Sequence, residues 1–339
     1  MRLIKTEDAV GHVLCHDMTQ IIKDQYKDAR FRKGHVVTEE DIPVLLSMGK
    51  EHLYVWEMTS GMVHENDAAE RLLALCGQEN MIRSGVKEGK IELKAACDGV
   101  FLVDSARLVA VNSQDEVMIA TRKGGMAVRE GDKLAGMRVI PLIIGEEKLR
   151  KAEQAAGDKP LLSLKPYVRK TACIVATGGE VKKGLIKDTF TPVVIDKLKT
   201  YGIETLEVVY SGDGVENVRD AVLTMREKKP DMILCTGGMS VDPDDNTPGG
   251  IKAAGANIIA YGAPVLPGAM FLLGYFDDGM PVMGLPGCVM YAGATVFDLV
   301  LPKIAADVPV TRADIAALGE GGLCLGCKPC HYPICPFGK

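Results

Sequence analysis

The chain has 339 residues, of which 47 % are apolar and 25 % charged, and a net charge of −5. That balance belongs to a soluble globular protein with room for two or three domains of roughly 100–200 residues. It excludes a basic track for nucleic acid, and no apolar run reaches the ~18 residues of a membrane span.

The opening MRLIKTEDAVGHVL lacks the apolar core and small-residue cleavage site of a signal peptide, so a cytoplasmic protein is expected. Thr38-Glu39-Glu40-Asp41 supplies a cap and early acids for a helix running to about Met48 and ending at Gly49. His52 to Trp56 then reads as a strand. Residues 66–78 space their apolar side chains for an amphipathic helix. From Ile91 to Ile144 the runs IELKAA, GVFLVD, RLVAVN, VMIATR and RVIPLII are β-branched and separated by polar or glycine turns, which predicts a small β domain. The stretch KLRKAEQAAGDKP (148–160) reads as a short polar helix entering a linker.

Strand and helix then alternate. ACIVAT (172–177), ETLEVVY (204–210), DMILCT (231–236) and PVMGL (281–285) read as strands. Helices are expected over roughly 189–201 and 215–228, and from Pro286-Gly287 to about Ile304; a long loop follows the third strand. Continuous apolar strands between helices predict an α/β fold with a doubly wound, mostly parallel sheet. Binding residues should sit beyond the carboxyl ends of its strands. The expected division is 1–60, a helix plus small β domain and linker at 61–165, the α/β domain at 166–308 and a cysteine-rich tail at 309–339.

Three of these strands end in glycine turns: Thr177-Gly178-Gly179-Glu180, Thr236-Gly237-Gly238-Met239-Ser240 and Leu285-Pro286-Gly287. Glycine lets backbone approach a ligand closely and leaves N–H groups for an anion. One such turn is commonly no more than a tight strand-to-helix connection. Three at equivalent ends of one sheet argue for a phosphate site, although neither the P-loop pattern nor GxGxxG occurs. Acids accompany them: Asp188, Asp213, and Asp242, Asp244 and Asp245. Mg²⁺ bridging such acids to phosphate is one reading. Helix capping by Asp188 and Asp213, and a solvated turn at 242–245, is the other.

The stretch TGGMSVDPDDNTPGG (236–250) resembles the TGGTG…RDxTP loop of molybdopterin adenylyltransferases, with Asp245, Thr247 and Pro248 in register. It is also similar to the SGGxSxGxxD loop of molybdopterin molybdenumtransferases. VLPGAMFLLGYFDDGMPVMGLPG (265–287), TGGEVKKGLIKDT (177–189), EDAVGHVLCHDM (7–18) and residues 33–57 resemble further passages of the latter family. The resemblance implies a molybdopterin-binding domain in molybdenum-cofactor synthesis or handling. It implies molybdopterin or its adenylylated form as ligand, with molybdate and ATP or AMP as co-substrates, a client molybdoenzyme and a homo-oligomer. By resemblance, Asp245, Asp213 and Asp188 would be catalytic. Thr177, Gly178, Gly179, Glu180, Thr236, Gly237, Gly238, Ser240, Thr247, Leu285, Pro286 and Gly287 would hold the pterin phosphate. Three departures stand out. The family's DGYA motif is missing, and PGNPVSA reads Pro286-Gly287-Cys288-Val289-Met290-Tyr291-Ala292. Too little chain follows Leu301 for the family's C-terminal β-barrel. A non-catalytic carrier or sensor is therefore the alternative to a transferase.

Six of the ten cysteines are scattered: Cys15, Cys76, Cys97, Cys173, Cys235 and Cys288. Most have apolar neighbours in sequence and read as small core residues. Cys324, Cys327, Cys330 and Cys335 instead form C-x₂-C-x₂-C-x₄-C-P. This is one residue longer than a ferredoxin run and predicts an iron–sulfur cluster or Zn²⁺. His12, His16 and His35 show no ligand spacing, and Trp56 and Met48 read as packing residues.

Overall fold

The computed structural model describes residues 2–22, 26–55, 61–240 and 246–339; Trp56, Asp242, Asp244 and Asp245 lie outside them. Contacts divide the chain into two compact units, the first made of residues 1–96, 103–124 and 131–163, the second of 97–102, 125–130 and 164–339.

In the first unit, strand Arg2–Lys5 pairs antiparallel with His52–Val55. Helix Asp41–Ser47 shares their core of Leu14, Leu45, Leu53 and Val55. Helix Glu65–Cys76 buries Ala68, Ala69, Leu72, Leu73 and Cys76, the stripe its periodicity predicts. Strands Met81–Arg83, Ile91–Ala95, Lys133–Val139 and Val117–Thr121 form an antiparallel sheet in that order. One expected strand is a helix: RLVAVN belongs to Ser105–Asn112. The Asp104 carboxylate accepts the Arg107 N–H at 3.1 Å and so caps the first turn. The valines do not alternate as a strand requires, since Val111 is buried and Val109 exposed.

The second unit holds the six-stranded sheet. Its elements are β1 (Thr171–Thr177), α1 (Phe190–Lys199), β2 (Glu204–Ser211), α2 (Val215–Glu227), β3 (Met232–Thr236), α3 (Thr247–Ala253), β4 (Asn257–Tyr261), β5 (Leu272–Tyr275), β6 (Pro281–Leu285) and α4 (Val296–Ala305). The strand order is β2-β1-β3-β6-β5-β4. The first four strands are parallel, and β5 and β4 close one side antiparallel. The elements α3, β4 and β5 lie between the third strand and PVMGL, where only a long loop is expected from the sequence. Alternation divides the apolar strands between two cores. Ile174, Leu234 and Met283 face α1 and α4, while Val175, Cys235 and Val282 face α2 and α3. The sheet is thus covered on both faces, as its unbroken apolar runs require. Among the described residues no helix is long and apolar enough to cross a membrane.

Candidate functional site at the carboxyl end of the sheet

The parallel register places Ala176 beside Thr236 and Thr236 beside Leu285, so the turns after β1, β3 and β6 leave the sheet side by side. Hydroxyls hold the first two together. Thr177 Oγ1 donates to the Thr236 carbonyl at 2.9 Å and lies 3.2 Å from the Thr247 hydroxyl. Thr247 Oγ1 donates to the Gly237 carbonyl at 2.9 Å, and its N–H reaches the Gly238 carbonyl at 3.2 Å. All three threonines are buried. The glycines are steric requirements as well as conformational ones. A Cβ on Gly237 would stand 2.4 Å from the Thr177 carbonyl oxygen, and one on Gly238 2.6 Å from Thr247 Oγ1. Their φ values are +83° and +56°.

Asp213 does not cap α2, whose N-cap is Gly214. Its Oδ2 accepts the Gly179 N–H at 3.0 Å, while the Gly178 N–H reaches the Ser211 carbonyl at 3.3 Å. Asp213 thus fixes the neighbouring turn. Asp188 behaves as the capping alternative describes: Oδ1 accepts the N–H groups of Phe190 and Thr191 at 2.9 and 3.0 Å. Oδ2 is buried without a well-aligned partner among the described residues, although the Thr191 and Tyr210 hydroxyls stand close enough to favour its charge. Burial works against that charge, but the hydrogen bonds from Thr191 and Phe190 and the nearby Tyr210 outweigh it, holding the carboxyl below its usual range.

The remaining predicted residues fall less centrally. Glu180 is exposed on a one-turn helix, its carbonyl accepting the Leu185 N–H at 2.9 Å. Ser240 is exposed at the last described position before residues 241–245. Leu285 is a core side chain and Pro286 is buried, which leaves exposed Gly287 as the open part of that turn. The Thr189 hydroxyl lies 3.1 Å from Met290 Sδ, joining the start of α1 to the chain after β6. Two residues escaped sequence reasoning. Tyr210, next to last in β2, lies beside Asp188, and Lys182 brings its Nζ to 3.9 Å from where a Cβ on Gly212 would stand. The signal for Lys182 lies in the sequence, since VKKG follows the first glycine turn directly.

A cavity of about 610 Å³ lies elsewhere, along β2 and α1, lined by Ile195, Lys199, Leu206 and Val208 and by none of the predicted residues. Four of the six scattered cysteines are packing groups, while Cys97 and Cys288 are half-buried. Cys15, Cys76, Cys173 and Cys235 are buried, and burial pushes the Cys76 and Cys235 thiols up to about 12. The four tail cysteines differ, being half-buried or exposed and lining one cavity. Among the described residues no three His, Cys, Asp or Glu side chains are gathered as a metal ion needs.

Residues 173–306 match the family model described as "Probable molybdopterin binding domain", and residues 3–57 match a "Domain of unknown function (DUF8806)". The second unit therefore carries a domain of the molybdopterin-binding kind. A CinA-like protein of Mycobacterium tuberculosis (strain ATCC 25618 / H37Rv) is 33 % identical over 76 residues, which cover 22 % of this chain and 18 % of the relative. One from Petrotoga mobilis is 32 % identical over 76 residues, covering 22 % and 19 %. The chain thus spans about a fifth of the length of the curated relatives it matches. Among solved structures, the molybdopterin biosynthesis enzyme MoaB from Thermus thermophilus aligns with TM-score 0.35 and 17 % identity, over 41 % of this chain and 98 % of its own. The protein CinA, of unknown function, from Thermoplasma acidophilum aligns with TM-score 0.34 and 18 % identity, over 40 % and 98 %.

Proposed function

We propose that the chain binds molybdopterin, or its adenylylated form, at the carboxyl end of the sheet and acts in molybdenum-cofactor synthesis or handling. The observation that carries this reading is the paired glycine turns. Gly237 and Gly238 pack against Thr177 and Thr247 with no space for a Cβ, while Asp213 pins Gly179 beside them. Backbone held this way can meet a phosphate closely and without rearrangement. Lys182 stands near enough to balance phosphate charge. The resembled families would place magnesium here. The described carboxylates do not suffice for it, because Asp213 is engaged by Gly179 and Asp188 Oδ1 by α1. A magnesium site would thus rest on the acids among residues 242–245, which lie outside the described residues.

Turnover decides between a transferase and a carrier. In a transferase the chain would consume ATP with molybdopterin, or release AMP from the adenylylated form with molybdate. Asp245→Asn should then keep pterin affinity within about tenfold while turnover falls about 100-fold or more. Unchanged turnover removes Asp245 from the mechanism. The carrier reading has one specific support: the serine of the resembled PGNPVSA segment is replaced by Tyr291, which is 78 % exposed. A carrier would bind the pterin with no release of AMP or consumption of ATP, and would deliver it to a client molybdoenzyme. Equilibrium binding of molybdopterin tests what both readings share, and failure to bind would overturn both.

A further inference from the structure

The last sixteen residues hold four thiols that the pterin reading does not use. They are not a loose end of chain. The Cys324 N–H donates to the Leu266 carbonyl at 2.8 Å, and the Gly338 N–H returns to the Gly321 carbonyl at 3.0 Å, so the segment is a loop closed at its base. Phe337 is buried in the core of the second unit, and the Tyr332 hydroxyl donates to the Asp298 carbonyl at 3.0 Å. On this closed loop Cys324, Cys327, Cys330 and Cys335 all line one cavity of about 290 Å³, with Ile334 and Phe337 among its apolar walls. Cys330 packs directly over Gly293, where a Cβ would come within 2.8 Å of its sulfur. All four thiols are free.

Size separates the occupants. A single zinc ion draws its sulfurs to ~2.3 Å from one point, hence about 3.8 Å from each other. Among the described residues no three His, Cys, Asp or Glu side chains are gathered as a single metal ion needs. A four-iron, four-sulfide cluster presents four separate irons at its corners, each taking one thiolate, so its ligands surround a body instead of a point. Four cysteines lining one cavity match that demand. The apolar wall would also shield the sulfides from water, one of the levers on cluster potential and lifetime.

We propose that the tail binds a four-iron, four-sulfide cluster through Cys324, Cys327, Cys330 and Cys335, each thiol losing its proton to solvent as its sulfur bonds one iron. The cavity also takes in Ala294, from the chain between β6 and α4. The proposal does not depend on the pterin reading.

The test is anaerobic purification of the full chain, followed by reconstitution with ferric iron and sulfide under excess dithiothreitol as reductant. Iron, sulfide and zinc are measured, with a visible spectrum before and after dithionite. About four irons and four sulfides per chain are expected, with a broad absorbance that bleaches on reduction. Cys327→Ser and Cys330→Ser, both exposed positions, should each lower bound iron at least fivefold with an unchanged thermal melt. Cys97→Ser, outside the tail, should leave it intact. Stoichiometric zinc without iron would overturn the proposal. So would metal-free protein after reconstitution, or full iron content in both exposed variants.

Discussion

At the carboxyl end of the sheet the close contacts are backbone against hydroxyl, with glycines 237 and 238 admitting no side chain. In the tail the arrangement is reversed: backbone closes the loop, and four cysteines line the cavity. The first arrangement depends on strand register, which brings Thr236 beside both β1 and β6 from positions far apart in sequence. The second depends on spacing within twelve positions. A site of backbone should therefore tolerate almost no change at its glycines, whereas a site of sulfurs should respond only to loss of sulfur. The two should also fail independently.

The largest expected break is Gly237→Val. It adds a branched Cβ where 2.4 Å separates that position from the Thr177 carbonyl, at a φ of +83°. Strain in that region and the backbone clash together should cost about 3 kcal/mol or more of stability. Urea unfolding measures it, and pterin binding at a temperature where the variant is folded should drop beyond detection. Iron per folded chain should match the unmodified protein. If iron falls in step with pterin affinity, the two regions are one coupled site and the contrast is wrong.

A smaller break is Thr247→Val, which keeps the shape and removes the hydroxyl serving Gly237 and Thr177. Thr247 is 1 % exposed, so the unpaired carbonyl left behind gains little from water. Losses of about 1–2 kcal/mol in stability are expected, with weakened pterin binding. Thr247→Ser should restore most of both. Failure of the serine to rescue would mean that the methyl packing, and not the hydroxyl, organises the turn.

This contrast also governs what the sequence makes legible. Strand PVMGL coincides with β6, and ACIVAT, ETLEVVY and DMILCT fall within a residue of their strands, because apolar runs bounded by glycine or charge leave few alternatives. The grouping of the four tail cysteines around one cavity is legible for the same reason, being local. Pairwise roles are not. Asp213 reads as a helix cap, yet it reaches 34 positions back to Gly179. Tyr210 and Lys182 gain meaning only once β2 lies beside β1. RLVAVN misleads because a single upstream carboxylate, Asp104, decides helix against strand. The antiparallel strands β4 and β5 hide among glycines and prolines, where pattern alone suggests loop.

Asp188→Asn has the smallest expected effect and separates the remaining ambiguity, a capping residue from a carboxylate valued for its charge. Asparagine can still accept the Phe190 and Thr191 N–H groups, so capping survives while titration is lost. Burial raises the Asp188 carboxyl, but its hydrogen bonds overcome this, and the folded-state pKa lies below the unfolded value of about 3.9. A depressed carboxyl contributes stability that is present above the unfolded pKa. That stability is lost as pH falls through the folded pKa, because the unfolded chain takes up the proton first. Unfolding free energy of the unmodified protein should thus decline more steeply below about pH 4 than that of Asp188→Asn, by a slope of no more than about one proton. Above about pH 5 the two curves should run parallel. Parallel curves across the whole range would mean that the fold does not favour the Asp188 charge, and would leave the residue as a cap alone. A steeper acid limb together with weakened pterin binding in Asp188→Asn would instead make it the one acid in the described site that serves both the backbone and the ligand.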